Sequence, residues 1–153
     1  MTEDDGGPAA AVRAYIAALN RGSADDAVAC VSDGFVNEHV STLGVTIVGR
    51  EAYRERVGEF LARFPGLHYE VEQIIVDGGQ VAVAYRMSAS WRKSGADASA
   101  DRPFSIRGMF RFQVEAGRII HRVDYWDSAD FLRQVNGREA SMESGRGLAG
   151  AKV

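Results

Sequence analysis

An α+β domain, with helices first and an antiparallel meander after them, is what the order of hydrophobic patterns in this chain predicts. Up to Phe64 apolar residues recur at helical spacing, whereas from His68 to Trp126 they fall in strand-length blocks separated by glycine turns. The 153 residues, 46% hydrophobic and 25% charged, suit a single core that folds without staples.

Pro8 marks a helix start, and Val12, Tyr15, Ile16 and Leu19 then share one face until Gly22 ends the run. Ser23 is placed to cap a second short helix, with Asp25 and Asp26 at its positive end. Ser32-Asp33-Gly34 reads as a turn and Phe35 to Val40 as an extended segment. Glu51 to Phe64 forms a third helix whose stripe is Tyr53, Val57, Phe60, Leu61 and Phe64, closed by Pro65-Gly66. Four strands follow: His68 to Val76, Gln80 to Trp91, Pro103 to Glu115 and Arg118 to Trp126. Asp77 to Gln80 and Glu115 to Gly117 are hairpin turns, and Lys93 to Arg102 is a polar loop. Ser128 to Gln134 makes a final helical turn or two. The domain is expected over residues 8–135, between flexible segments 1–7 and 136–153, the latter rich in Gly and Ser.

Bulk chemistry removes several function classes. A net charge of −3 offers no basic stripe for nucleic acid. One cysteine, Cys30, excludes a disulfide framework, and His39, His68 and His121 lack metal-ligand spacing. No apolar run reaches a membrane span, and the acidic start has no signal-peptide pattern, so a cytoplasmic location is expected.

Strand register predicts which side chains share the concave face. A Gly78-Gly79 turn pairs Val76 with Val81, Val71 with Arg86 and Tyr69 with Ser88, which puts Arg86 and Ser88 inward. A three-residue loop at 115–117 pairs Phe112 with Ile120, Phe110 with Arg122 and Gly108 with Asp124, which puts Asp124 inward opposite a glycine. Val81, Val83, Tyr85, Met87 and Trp91 then form an apolar outward row, the mark of a second covered surface, most simply a homodimer interface.

The segment Gly117 to Gln134 (GRIIHRVDYWDSADFLRQ) places Asp124 in an apolar, aromatic strand end. A carboxylate there is costly unless paired, protonated or used. The order helix–helix–strand–helix–meander, with Phe35-Val36-Asn37, Val48-Gly49-Arg50-Glu51-Ala52 and this last segment, resembles the nuclear transport factor 2-like cone, a curved and mainly antiparallel sheet holding N-terminal helices. Within that superfamily the chain resembles the SnoaL-like polyketide cyclase (ester cyclase) group over roughly residues 8–135. The resemblance implies that the position of Asp124 is the acid/base of an intramolecular aldol closure needing no metal or organic cofactor, while the cyclases' histidine on the preceding strand falls at Phe110. The limonene epoxide hydrolases resemble the same frame, with Arg86 and Asp124 matching two of their Asp–Arg–Asp set and Ser88 standing at the third. Ketosteroid isomerases share the fold.

Asp124 is thus either a general base or half of a structural ion pair with Arg86 or Arg122. Arg86 has the same two readings. His39 has the right ordinary pKa for proton transfer, and it shares one side of its extended segment with Asn37, a candidate carbonyl donor. Phe110 and Trp126 share the face of Asp124 and, with Tyr53 and Trp91, are candidate walls for a flat ligand; Ser88 and Arg122 complete the substrate-binding set. The expectation is a cofactor-free enzyme acting on a hydrophobic carbonyl compound by aldol cyclisation or isomerisation, with Asp124, Arg86 and His39 catalytic. The alternatives are a non-catalytic binding module of the same fold and an epoxide or ester hydrolase with a modified Asp–Arg site.

Overall fold

Each helix forms where the sequence supplies a start and a stop. In the computed structural model of the protein, which describes residues 7–136, Pro8 opens α1 (Pro8–Asn20), and Val12, Tyr15, Ile16 and Leu19 are buried on one face. The Ser23 hydroxyl accepts from the Asp26 N–H and caps α2 (Ala24–Ala29). Gly49, at φ 101°, turns the chain into α3 (Arg50–Arg63) through backbone space that side chains rarely enter, and its N–H bonds to the Phe35 carbonyl at 2.8 Å. Asp127 caps α4 (Ser128–Asn136) by accepting from the N–H groups of Ala129 and Asp130. The expected flexible ends lie outside the described residues except for Gly7 and Asn136. None of the described helices is long and apolar enough to cross a membrane.

The strands are β1 (Val31–His39), β2 (Ile47–Val48), β3 (His68–Asp77), β4 (Gln80–Trp91), β5 (Arg102–Glu115) and β6 (Arg118–Trp126). They form one six-stranded sheet in the order β2-β1-β6-β5-β4-β3. All neighbours are antiparallel except β1 and β6, which run parallel. Ser32-Asp33-Gly34, expected as a turn, lies inside β1, where the pairing with β6 breaks register between Val31 and Val36. Beyond that break His39 pairs with Asp124, and the Val40 N–H donates to the Asp124 carbonyl at 3.0 Å. The helices pack into the concave face: Tyr15 of α1 meets Phe112 edge-on, and the Asn20 side chain bonds both backbone groups of Tyr69.

Two bulges decide which side chains enter the cone. On β3 and β4 the expected pairing of Val76 with Val81 occurs, but the register shifts between Val71 and Gln73. Tyr69 therefore pairs with Met87 rather than Ser88, and Glu70 rather than Val71 pairs with Arg86. A one-residue slip exchanges the two faces. Arg86 is consequently outside the cone, its Nε 3.9 Å from Glu72, and Ser88 is outside with its hydroxyl 3.5 Å from that of Ser105. The row Val81, Val83, Tyr85, Met87 and Trp91 is the buried core face of β4 and no longer argues for a dimer interface. On β5 and β6 the turn is the two-residue Ala116–Gly117, both at positive φ, and a bulge follows between Gln113 and Val114. Each moves the pairing by one, so Phe110 meets Asp124 and Phe112 meets Arg122. Two slips restore parity, and Asp124 and Arg122 face inward as expected, both 5% exposed.

Candidate active site

At the sheet end where β1 runs beside β6, the chain buries Asn37, His39, Arg122 and Asp124 together. Asn37 and His39 lie two residues apart on β1, and Arg122 and Asp124 lie two apart on β6, so pleating points all four the same way. The parallel pairing sets Asn37 beside Arg122 and His39 beside Asp124.

Arg122 is a buried cation with a built seat. Its Nε donates to Asn37 Oδ1 at 2.7 Å, and its Nη2 lies 3.3 Å from His39 Nε2. Its guanidinium carbon stands 4.9 Å above the Phe110 ring centroid and 5.9 Å from that of Tyr15. Burial alone would favour its neutral form, but the Asp124 carboxylate opposes that, and the guanidinium stays protonated.

Asp124 does not pair with it directly. Among the described residues no arginine lies within ion-pair distance of the Asp124 carboxylate. Oδ1 accepts from the Tyr85 hydroxyl at 2.7 Å, and Oδ2 is 3.6 Å from His39 Nδ1, beyond hydrogen-bond range. Desolvation pushes its pKa up to about 6, against the pull of Arg122 and the Tyr85 hydrogen bond. Tyr85 reaches Oδ1 because its cross-strand neighbour on β5 is Gly108. A Cβ at Gly108 would collide with the Tyr85 hydroxyl and come within 2.6 Å of its Cζ and 2.8 Å of the Tyr125 carbonyl. Gly108, expected opposite Asp124, pairs with Trp126 instead, and the space above it is filled by Tyr85.

His39 is not a rim residue in solvent; its side chain is buried, and a Cβ on Gly44 would strike it. Burial first, and then the positive charges of Arg122 and Arg56, push its pKa down to about 3, so the ring is neutral near pH 7. Arg122 and the Trp126 indole can each only donate, and they face Nε2 and Nδ1 at 3.3 and 3.4 Å, while a neutral ring has one acceptor; the charged donor is the stronger claimant, which puts the proton on Nδ1, toward Asp124. The Trp126 indole N–H, 3.4 Å from that Nδ1, then finds no lone pair there and is available to a ligand.

Two narrow lobes meet at His39 and Phe60, which line both. One, about 310 Å³ with its open mouth, is apolar: Tyr69, Tyr85, Met87, Ile106 and Phe131 enclose it, with Asp124 and Trp126 at one side. The other, about 290 Å³ with its mouth, is more polar and is bordered by Asn37, Tyr53, Arg56 and Arg122. The side chains leave little open space in either beyond room for a water.

Of the residues singled out from sequence, the site gathers Asp124, His39, Asn37, Arg122, Trp126 and Tyr53, with Phe110 packed beneath Arg122 rather than walling either lobe. Arg86 and Ser88 are excluded by the β3 bulge. Trp91 is in the core against Phe131 and lines neither lobe. Tyr85, Tyr69 and Arg56 enter unforeseen. Tyr85 had a signal in its apolar alternate row, which should have been assigned to the core. Arg56 had none, because a charged residue beside a helix stripe ordinarily faces water.

The profile of the SnoaL-like domain family matches residues 12–122. No curated protein matches the chain. Among solved structures it is similar to a proposed SnoaL-like polyketide cyclase from Jannaschia sp. CCS1, with 15% identity, 90% of this chain and 98% of that one covered, and a TM-score of 0.73. A protein with a ketosteroid isomerase-like fold from Catenulispora acidiphila, in complex with trimethylamine, gives 17% identity over 82% of this chain and 92% of its own, with a TM-score of 0.71. A proposed polyketide cyclase from Xanthomonas campestris gives 20% identity, 84% and 96% coverage, and a TM-score of 0.69. The long profile match shows that the chain belongs to the SnoaL-like domain family, and its fold is the nuclear transport factor 2-like one of these structures.

Proposed function

We propose that this protein is a cofactor-free enzyme that uses Asp124 as general acid/base on a hydrophobic carbonyl compound. The carrying observation is a carboxylate held to one side of an apolar lobe, with one oxygen anchored by Tyr85 and the other accepting no hydrogen bond among the described residues. A pKa near 6 leaves it ionised at neutral pH yet basic enough to compete for a proton. In the reaction, the free oxygen takes a proton from the carbon α to the carbonyl. The C–H electron pair becomes the enolate double bond, and the carbonyl π pair moves onto oxygen. In this reading the indole N–H of Trp126, which otherwise points at His39 Nδ1, and the Nδ1–H of His39 turn to that oxygen as neutral donors. In an aldol closure the enolate carbon then bonds to a second carbonyl carbon of the same molecule, the first carbonyl re-forms, the second carbonyl's π pair becomes an alkoxide and protonated Asp124 returns the proton to it; in an isomerisation the proton goes back to another carbon.

A non-catalytic binding module is the second reading, favoured by the narrowness of both lobes and by Phe110 standing where a polar partner would help. The hydrolase alternative loses its support, since Arg86 is on the opposite face from Asp124. Deuterium uptake from heavy water at the α-carbons of polycyclic ketones and β-keto esters separates the two that stand. Uptake by wild type that disappears in Asp124→Asn supports the carbon-acid base; binding without uptake in wild type supports the module.

A further inference from the structure

We infer that the lobe bordered by Arg56 and Arg122 is an anion subsite and that the substrate is an organic acid, its carboxylate lying between these two guanidinium groups. This rests on the carbonyl-substrate reading above and names the class of compound. The lobe has two arginines on its wall and no carboxylate side chain. Arg122 already spends donors on Asn37 and His39. Arg56 does not: its Nη1 lies 3.6 Å from exposed Glu59, while its Nη2 is buried with no hydrogen-bond partner among the described residues. An unpaired buried donor is costly, and a buried charged one more so. The hydroxyls of Tyr15 and Tyr53 bond each other in the same lobe. Two hydroxyls carry two protons and that bond uses one, so a further O–H is left over. The one side-chain carbonyl on this wall, that of Asn37, is taken by Arg122.

The lobe thus has surplus donors and surplus positive charge with no anion among its lining side chains, and a planar carboxylate supplies what is missing. Both lobes meet at His39 and Phe60. One molecule that spans both would set its acid in the arginine lobe and its apolar, carbonyl-bearing part beside Asp124, and lining side chains must shift to admit it.

The test compares 2-naphthoate with methyl 2-naphthoate by calorimetry at pH 7.5, on wild type, Arg56→Gln, Arg56→Lys and Asp124→Asn. Wild type should bind the acid about 10- to 100-fold tighter than the ester, the span of a charge-assisted hydrogen bond. Arg56→Gln should remove that preference with ester affinity unchanged, and Arg56→Lys should keep part of it. Without ligand, Arg56→Gln should melt at or above the wild-type temperature, because its Nη2 gives up no bond; a purely structural arginine would lower it. Equal binding of acid and ester by wild type, preference for the ester, or loss of both ligands in Arg56→Gln overturns the subsite. Acid preference persisting in Asp124→Asn, with no deuterium uptake in wild type, would keep the subsite and remove the carbon-acid reading. Uptake without acid preference would do the reverse.

Discussion

Replacing Asp124 by Asn tests whether this carboxylate is a desolvated acid or half of an ion pair. The folded protein holds its pKa at about 6, raised from 3.8. A raised folded pKa means that the folded state binds the proton more tightly than the unfolded chain. The stability it confers is fully present below about pH 4 and is lost as pH rises through 6, roughly 3 kcal/mol in all. His39 works the other way. Its folded pKa of about 3 lies below its ordinary 6.5, so its share of stability is present above pH 6.5 and is lost as pH falls toward 3. Between about pH 4 and 6 the two slopes nearly cancel in wild type. The difference between wild type and Asp124→Asn removes the His39 contribution. Urea denaturation at pH 4, 5, 6, 7 and 8 should show the Asn variant gaining about 2.5 kcal/mol relative to wild type from the acid end to pH 8. The loss of the Tyr85 hydrogen bond offsets the whole curve but does not tilt it. A flat difference, or wild type gaining as pH rises, would mean that ionised Asp124 is stabilised by Arg122 and would refute the acid/base assignment.

Tyr85→Phe removes the hydrogen bond that holds the Asp124 pKa down, so the acid limb of deuterium uptake against pH should move up by roughly half to one unit. Arg86→Ala should leave uptake unchanged and alter stability by about 1 kcal/mol or less, since its pairing with Glu72 is long and half-exposed; a large loss of activity would restore it to the site. Gly108→Ala drives a Cβ against the Tyr85 ring and the Tyr125 carbonyl, and urea midpoints should register a loss of about 1–3 kcal/mol together with reduced uptake.

The helices were legible because their signals are local: Pro8, the Ser23 cap and the Tyr53–Val57 stripe act within a few residues of where they stand. The sheet was legible only modulo two. On β5 and β6 a shorter turn and a bulge each displaced the register by one, and Asp124 kept its inward face because two odd slips make an even one. On β3 and β4 a single bulge beside Glu72 displaced it once, so Arg86 and Tyr85 exchanged faces. A bulge answers to the twist the whole sheet adopts, and nothing in the Glu72 neighbourhood announces it. The unbroken row from Val81 to Trp91 did carry the correction, since such a row belongs first to the protein's own core.

The parallel join of β1 to β6 was beyond local reasoning, and it makes the site. It inserts His39 between Arg122 and Asp124, two groups that would otherwise collapse into a buried ion pair. A neutral imidazole spends its acceptor on the cation and turns its N–H toward the carboxylate, so each charge is addressed without neutralising the other. Asp124 then retains a pKa near neutrality, while Arg122 faces the neighbouring lobe with Arg56. His39 is in this account a spacer as much as a donor. Shortening it to Asn should let Arg122 approach Asp124 and drive the carboxylate pKa down. The acid limb of deuterium uptake should then fall well below pH 6; an unmoved limb would show that the imidazole does not separate the pair.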